Sequence, residues 1–434
     1  MTLDLQTAAQ QPETAHAPGP RIARRPGLGL KLLTVGLSVL ASLGALELGV
    51  RWWRYRTLWG IPQPGGYPDD ITYRHPRYHH RYRPHAQTTE GRVDFHATYT
   101  TNALGLRGSR EYGPKPAGVR RLLMLGDSFT FGIGVNDGQT FSALLQEAME
   151  LRGAPIEIIN AGVGSYSPIL HYLTLRDLYL NWAPDAVILW FDFTDIQDDY
   201  EYEPHLLYDA AGQATVCNPD YVHGHRDWVA TVLTRSALVK YLHHKLGGTV
   251  QRIRMLGWWE YVRAKFRGED TKLAAVHLRG GRRSRVDLVA YDRLLMVRGT
   301  ASAEELDRYW KRTGGYILKI RDLLAQRGVP LILGLYPSGV QVGPDQWGQG
   351  RTYWMFEPGR TYDDPLPFEF IERFARAQDI PVINTYPSFK AMREETLFLP
   401  MDGHFNAAGH QVLAAHVLHD PILAQLLRRW RGGE

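Results

Sequence analysis

Two short segments, far apart in the chain, carry side chains that together could activate a hydroxyl nucleophile. In the first, Ser128 ends a Gly-Asp-Ser sequence that directly follows a short apolar run, residues 122–125. In the second, Asp402 and His404 are separated by one glycine near the carboxyl end of the chain. A serine hydroxyl is a weak nucleophile at neutral pH, and an imidazole that a carboxylate orients can accept its proton during attack. Ser128, His404 and Asp402 are therefore candidates for the nucleophile, the general base and the orienting acid.

The elements around these residues predict how they are positioned. The apolar run before Ser128 predicts a buried strand, and Gly126 at its end permits a sharp turn at the rim of a sheet, where open α/β sheets place their chemistry. Strands are predicted at residues 121–125, 155–161, 186–191, 330–335 and 381–384, and helices at 140–152, 169–181, 303–327, 367–377 and 407–428. This alternation indicates an α/β fold with a parallel sheet covered on both faces, that is, a three-layer α/β/α sandwich.

The composition of the chain excludes several classes of protein. Hydrophobic residues make up 44% of the 434 residues, which is enough for a substantial core. The net charge of +5 is small for this length, and no zinc-ligand or RNA-binding signature accompanies it, so we do not expect a nucleic-acid partner. Cys217 is the single cysteine, which excludes an internal disulfide and a multi-cysteine metal site. We expect no metal and no cofactor.

The amino-terminal region contains one long apolar segment. Residues 1–28 are rich in Ala, Gln, Pro and Thr and are predicted to be a disordered tail. Residues 32–50 are apolar apart from Glu47, and about 20 helical residues span the hydrocarbon of a bilayer. Tryptophans and arginines follow at once, as at a membrane–water interface. We predict a transmembrane anchor at 29–53, with a cleaved signal peptide or a buried helix as alternatives. Basic residues flank both ends, so the orientation stays open.

The rest of the chain divides into a linker and a catalytic domain with an insertion. Residues 54–100 are rich in Pro, Tyr, His and Arg, and we interpret them as a solvated linker, or else as a patch that contacts lipid headgroups or an acidic polysaccharide. The catalytic domain is predicted in two parts, 101–199 and 301–434. Between them, residues 200–300 are interpreted as a helical insertion or cap beside the active site.

Acyl transfer also needs hydrogen-bond donors for the developing oxyanion, each contributing about 3 kcal/mol in good geometry. The loop that follows the second strand contains Gly164 and Ser165 and could supply backbone N–H groups. The third strand is followed by Thr194, whose hydroxyl could donate as well. Thr194 or Asp195 could instead cap a helix. The several aspartates near this point do not follow the regular ligand pattern of a calcium loop.

A family resemblance joins these segments. Four blocks resemble, in order, those of the SGNH (GDSL-type) hydrolases: residues 126–130, 160–167, the end of the third strand, and 402–404. Residues 101–108 resemble the lead-in of membrane-anchored bacterial members. The resemblance implies a flavodoxin-like sandwich with Ser128 as nucleophile and first oxyanion donor, His404 as base and Asp402 as its orienting acid.

This sequence departs from the family pattern at three points. Thr194 stands where the family usually has asparagine. Ser165 aligns with a glycine, while Gly164 lies one residue early, and a backbone N–H from either could serve the oxyanion. The last block is Asp-x-His rather than the commoner Asp-x-x-His.

From these observations we expect hydrolysis or transfer of an ester-linked acyl group through an acyl-Ser128 intermediate. Water as acceptor gives a carbohydrate or small-acyl esterase. A sugar hydroxyl gives an O-acyltransferase that modifies exported polysaccharide, and loss of catalysis would leave a binding module of an envelope assembly. The expected partners are an ester-bearing substrate, such as a polysaccharide, and a membrane that the amino-terminal helix enters. The catalytic domain is expected in the periplasm or outside the cell.

Overall fold

The computed structural model of the chain describes residues 28–57, 70–219, 258–267, 303–348, 350–353 and 356–432. The predicted tail before residue 28 and most of the predicted insertion lie outside these ranges. Eleven strands are described: β1 (Thr72–His75), β2 (His79–Tyr82), β3 (Gln87–Gly91), β4 (His96–Thr100), β5 (Arg120–Gly126), β6 (Ile156–Gly162), β7 (Ala186–Phe191), β8 (Leu206–Tyr208), β9 (Ala214–Cys217), β10 (Leu331–Leu335) and β11 (Val382–Asn384).

The described α-helices include several of only one turn. They are α1 (Leu28–Thr57), α2 (Ser128–Phe131), α3 (Phe141–Leu151), α4 (Pro168–Asp177), α5 (Asp195–Tyr202), α6 (Trp258–Phe266), α7 (Ala303–Ala325), α8 (Gly339–Val342), α9 (Gly350–Tyr353), α10 (Leu366–Arg376), α11 (Tyr386–Ala391), α12 (Ala407–His419) and α13 (Pro421–Gly432). Short 3₁₀ helices lie at Asp137–Gln139, Tyr179–Trp182 and Glu203–His205.

A five-stranded parallel sheet forms the centre of the fold, with the strand order β11-β10-β7-β5-β6. Numbered along the chain within this sheet, the order is 2-1-3-4-5, which is the flavodoxin-like arrangement. The first strand of the sheet, β5, therefore lies between β6 and β7. Helices that follow β5 and β7 leave the sheet in different directions, so a crevice opens at the carboxyl ends of these two strands.

Alternate residues of each strand point to opposite faces of the sheet. Leu123 and Leu125 of β5 belong to one hydrophobic core with side chains of α4, α7 and α10. Leu122 and Met124 belong to a second core with side chains of α3, α11, α12 and α13. Helices thus cover both faces, and the predicted three-layer α/β/α sandwich is confirmed.

All five predicted strands of the sheet are present, and the predicted helices are present, two of them with an interruption. The helix predicted over 169–181 is α4, which ends at Asp177, followed by the 3₁₀ helix Tyr179–Trp182. The helix predicted over 407–428 is two helices, α12 and α13, separated at Asp420. Asp420 has extended backbone angles (φ −68°, ψ 134°) because the following residue, Pro421, disfavours a helical conformation before it. The Asp420 side chain then accepts a hydrogen bond from the N–H of Ile422 (2.8 Å) and starts the next helix.

Residues 72–100 differ from the solvated linker predicted over 54–100. They form two antiparallel hairpins, β1–β2 and β3–β4, whose inward side chains join the core on one face of the sheet. Tyr82 and Tyr99 are 1% and 0% exposed and pack on Phe131 of helix α2, with ring centroids 4.4 and 5.7 Å apart. The interpretation of this segment as a solvated linker is therefore corrected. Its composition is polar overall, but tyrosines at alternate positions are buried.

The described part of the predicted insertion is only partly helical. After α5, residues 206–217 form the hairpin β8–β9, which pairs antiparallel. Helix α6 lies within the predicted insertion, and its Trp258 and Trp259 are 57% and 71% exposed. The remainder of the predicted insertion lies outside the described residues.

Residues 29–53, predicted as a transmembrane anchor, lie in helix α1. Its described leucines and valines are exposed, with Leu40 at 66%. Within the described ranges, no helix combines the length and the apolar character that crossing a membrane requires, so the predicted anchor finds no support here.

Candidate active site

Ser128 lies at the carboxyl end of β5, at the crevice between β5 and β7. It is the first residue of the one-turn helix α2, and the Asp127 side chain caps this helix by accepting a hydrogen bond from the N–H of Phe129 (2.9 Å). A Cβ atom at Gly126 would lie 2.1 Å from the hydroxyl oxygen of Thr130, so the turn between strand and helix leaves no space for a side chain there. The tight turn places the Ser128 hydroxyl at the rim of the sheet, as the sequence predicts.

The structure brings the three predicted catalytic side chains together. Nε2 of His404 lies 2.7 Å from Oγ of Ser128, and Nδ1 of His404 is hydrogen-bonded to Oδ1 of Asp402. An ionised aspartate can accept hydrogen bonds but cannot donate them, so Nδ1 carries the proton and Nε2 is left to accept from the serine hydroxyl. This is the geometry of a nucleophile, a general base and an orienting acid.

The Asp-x-His spacing allows the two side chains to meet because the chain turns sharply at Gly403. This glycine has φ +91°, a conformation that favours glycine, and a Cβ atom there would lie 2.5 Å from Cε2 of Trp347. The turn is closed by two backbone hydrogen bonds: Leu399 N–H donates to the carbonyl of His404 (2.8 Å), and Gly403 N–H donates to the carbonyl of Leu399 (3.0 Å). The acid and the base therefore meet side by side, one residue apart.

Trp347 packs against this turn. Its Nε1 donates to the carbonyl of Met401 (3.3 Å), and the residue is half-buried. In the structure the indole supports the loop that carries Asp402 and His404.

Charges around His404 keep its imidazole basic. Burial lowers the pKa of His404, but the charge of Asp402 and the hydrogen bond to it, together with the charge of Asp127, raise the pKa above its ordinary value. Burial raises the pKa of Asp402, but His404 and Arg92 outweigh this effect and hold that pKa below its usual range. The acid is therefore ionised at neutral pH, and the imidazole binds a proton more strongly than an ordinary histidine does.

The second oxygen of Asp402 contacts a residue that the sequence did not single out. Arg92, in the turn of the β3–β4 hairpin, donates from Nη1 to Oδ2 of Asp402 (2.7 Å). Asp94 in the same turn accepts hydrogen bonds from the N–H groups of Met401 (2.8 Å) and Asp402 (2.9 Å). No local spacing signals these contacts, since they join residues some 310 positions apart.

The loop after β6 contains two of the predicted oxyanion donors. The N–H of Gly164 donates to the hydroxyl of Tyr82 (2.9 Å), and the Gly164 carbonyl is 2.8 Å from Nε2 of His80. Ser165 has φ +52°, the left-handed conformation that suits the glycine with which it aligns. Among the described residues, the N–H groups of Ser128 and Ser165 have no hydrogen-bond acceptor, whereas that of Gly164 is engaged.

Thr194, the fourth predicted donor, makes a different contact. Its hydroxyl donates to Oδ2 of Asp192 at 2.6 Å, and Oδ1 of Asp192 accepts from the N–H of Phe193 at 2.7 Å. Thr194 precedes α5 but makes no side-chain cap. Its part in oxyanion binding stays a prediction.

Three buried carboxylates lie near Ser128. Burial and then the charge of Asp127 raise the pKa of Asp192 to about 7, and burial raises the pKa of Asp127 and of Asp195 as well. Tyr336 donates to Oδ1 of Asp127 at 2.6 Å and helps to hold it. Within the described part of the chain, no group of three or more histidine, cysteine, aspartate or glutamate side chains is placed to hold a metal ion.

A cavity of about 750 Å³ lies at the opposite, amino-terminal edge of the sheet, lined among others by Arg120, Asp185 and Arg429. Neither Ser128 nor His404 lines it. It therefore takes no part in the chemistry of the Ser128 site.

Comparisons with known proteins gave matches only among solved structures. No family model and no curated protein matches the chain. Similar structures include the acetyl xylan esterase AlAXEase (14% identity, covering 69% of this chain and 98% of that chain, TM-score 0.32). They also include a member of the lipolytic G-D-S-L family from Veillonella parvula DSM 2008 (12% identity, covering 70% of this chain and 99% of that chain, TM-score 0.34). A catalytic mutant of Axe2, an acetylxylan esterase from Geobacillus stearothermophilus, matches with 12% identity, 70% and 94% coverage and TM-score 0.33. Similarities at these TM-scores do not indicate a function, so the function is inferred from the geometry of the site.

Proposed function

We propose that this protein is a serine hydrolase that cleaves ester bonds through an acyl-Ser128 intermediate. The observation that carries the proposal is the hydrogen-bonded series Ser128–His404–Asp402 at the carboxyl ends of β5 and β7. Such a series activates a serine for attack on a carbonyl carbon.

The steps follow from the geometry. Oγ of Ser128 attacks the ester carbonyl carbon while Nε2 of His404 takes the hydroxyl proton, and Asp402 stabilises the imidazolium. His404 then gives this proton to the departing alcohol, and an acyl-serine remains. Water attacks the acyl group with His404 again as base, which releases the carboxylic acid and restores Ser128.

The oxyanion formed in both steps needs donors. In the part of the chain that the structure describes, the N–H groups of Ser128 and Ser165 have no acceptor, so they can serve the oxyanion without losing an existing hydrogen bond. Gly164 and Thr194 would have to give up their contacts with Tyr82 and Asp192. We propose Ser128 and Ser165 as the principal donors.

The substrate class and the location rest on sequence. The resemblance to the SGNH hydrolases supports an ester of a carbohydrate or a small acyl ester, with no cofactor. A position outside the cytoplasm rests on the apolar sequence of residues 32–50 together with the family resemblance. Transfer to a sugar hydroxyl in place of water uses the same nucleophile and base and is distinguished by the acceptor.

The proposal is tested by acetate release from p-nitrophenyl acetate by the full chain, beside Ser128→Ala and His404→Ala. We expect each substitution to lower kcat by roughly 10⁴- to 10⁶-fold. A fluorophosphonate probe should label the wild-type serine and leave Ser128→Ala unlabelled.

A folded wild-type protein that neither hydrolyses the ester above the two variants nor takes the probe would contradict the proposal and favour a binding module. An added oligosaccharide acceptor that captures the acetyl group at the expense of free acetate would assign the chain as a transferase.

A further inference from the structure

We propose that Arg92 is a positioning residue for the catalytic acid, and that the β3–β4 hairpin is thereby part of the active site. The inference rests on the proposed serine-hydrolase function. It assigns a role to a segment that lies outside the α/β/α sandwich and whose sequence resembles a linker.

The carboxylate of Asp402 lies between an imidazole and a guanidinium. Oδ1 is hydrogen-bonded to His404 and Oδ2 accepts from Arg92 (2.7 Å), so each oxygen has its own partner. The side chains of Arg92 and Asp402 are 12% and 6% exposed. A charge-assisted hydrogen bond shielded from water in this way fixes the orientation of the carboxylate, and through it the orientation of the imidazole.

The guanidinium of Arg92 is itself held in place. Its Nε and Nη2 both donate to Oε1 of Glu90, at 2.7 and 2.6 Å, and Oε2 of Glu90 accepts from the hydroxyl of Tyr99 (3.1 Å). The guanidinium also lies 5.5 Å from the ring centroid of Phe95. A side chain that is held by two other residues, Glu90 and Phe95, can define the position of its partner Asp402.

The same turn also fixes the backbone that carries the acid. Oδ2 of Asp94 accepts from the N–H groups of Met401 and Asp402. The hairpin thus holds Asp402 by its side chain through Arg92 and by its main chain through Asp94. Two independent contacts on one residue indicate that the hairpin fixes the position of the loop that carries His404.

Arg92 also acts on the charge of the base. Its positive charge lowers the pKa of His404, against the raising effects of Asp402 and Asp127, and it lowers the pKa of Asp402. Removal of the charge should therefore raise the pKa of His404. Other titratable groups that interact with the His404–Asp402 pair are Asp192 at the end of β7, Glu90 in the hairpin and His410 in α12.

The test compares Arg92→Gln and Arg92→Lys with the wild type in the full chain. The control is Arg110→Gln, which removes an exposed arginine and its ion pair with Glu150. The measurements are kcat and KM for p-nitrophenyl acetate from pH 5 to 9, with thermal unfolding to follow stability.

For Arg92→Gln we expect kcat/KM to fall roughly 10- to 100-fold at pH 8, mainly in kcat, because a charge-assisted hydrogen bond to the acid is lost. The acid limb of its pH profile, that is, the fall of kcat/KM at low pH, should move to higher pH because the pKa of His404 rises. Arg92→Lys keeps the charge and should restore the acid limb while recovering only part of the rate, because an ammonium lacks the fixed fork. Arg110→Gln should leave both unchanged.

A wild-type rate and acid limb in folded Arg92→Gln would overturn the inference while leaving the serine mechanism intact. A lower rate with an unchanged acid limb and a lower Tm would also overturn it, since this is the result of a structural role alone. If Arg92→Gln does not fold, Arg92→Lys decides: full wild-type kcat contradicts the positioning role. A wild type without serine-dependent activity would instead overturn the proposed function, and the inference with it.

Discussion

The two hairpins before the sheet hold different loops of the active site, and they do so with different chemistry. β1–β2 contacts the loop after β6 through neutral groups, the hydroxyl of Tyr82 and the imidazole of His80, whose pKa burial lowers to about 4. β3–β4 contacts the acid–base loop through the charged Arg92 and Asp94. Neutral contacts fix geometry alone, whereas charged contacts also alter the protonation of the groups they hold.

The largest loss of activity is expected from the loop that the charged hairpin, β3–β4, contacts. Asp402→Asn should lower kcat by about 10⁴-fold at pH 8, because an amide no longer orients the Nδ1 proton of His404. Steady-state hydrolysis of p-nitrophenyl acetate measures this loss.

The same variant tests whether Arg92 acts through Asp402. Because Arg92 acts through Asp402, Arg92→Gln added to Asp402→Asn should cause little further loss, which a double-mutant cycle measures. Additive losses from the two substitutions would show that the charged hairpin acts on another group.

The pH dependence of the wild type is the next effect in size. The pKa of His404 is raised above its ordinary value of 6.5, and only the neutral imidazole accepts the serine proton. kcat/KM should therefore fall as pH decreases through a midpoint above 6.5, about tenfold for each further pH unit. A profile recorded between pH 5 and 9 checks this, and a midpoint below 6.5 would show that burial outweighs Asp402 and Asp127.

The smallest effect is expected on the neutral side. Tyr82→Phe removes the acceptor of the Gly164 N–H, and the loss of one neutral hydrogen bond, worth about 1 kcal/mol, should lower kcat/KM roughly fivefold at most. The acid limb should not move. The matched control is Tyr112→Phe, whose hydroxyl donates to the Ile158 carbonyl (3.1 Å) at the other end of the sheet. An acid limb that moves in Tyr82→Phe alone would show that the β1–β2 hairpin also alters the protonation of His404.

The sheet and the catalytic series could be predicted from sequence because their signals are local. Apolar runs such as residues 186–191 coincide with buried strands, and the Gly-Asp-Ser and Asp-Gly-His segments have residue types suited to one chemistry. The Asp-x-His spacing, unusual for the resembled family, is resolved by the positive φ of Gly403.

The hairpins could not be predicted in the same way. Their strands are only four or five residues long and carry histidines, arginines and threonines, so polar composition outweighed the alternation that buries Ala97 and Tyr99. The partners of Arg92 and Asp94 come from the far end of the chain, and no local pattern encodes such a pairing. The contact of Thr194 with Asp192 likewise depends on a rotamer that sequence does not specify.

The bridge between Arg92 and Asp402 has a consequence for the biosynthesis of the protein. It joins two residues 310 positions apart, one ahead of the whole sheet and one close to the end of the chain. The hairpin leaves the ribosome long before its partner exists, so the active site closes only after residues 402–404 have been made. A chain that is terminated before residue 402 can carry Ser128 and the strands of the sheet, yet it has neither the proposed base nor the proposed acid.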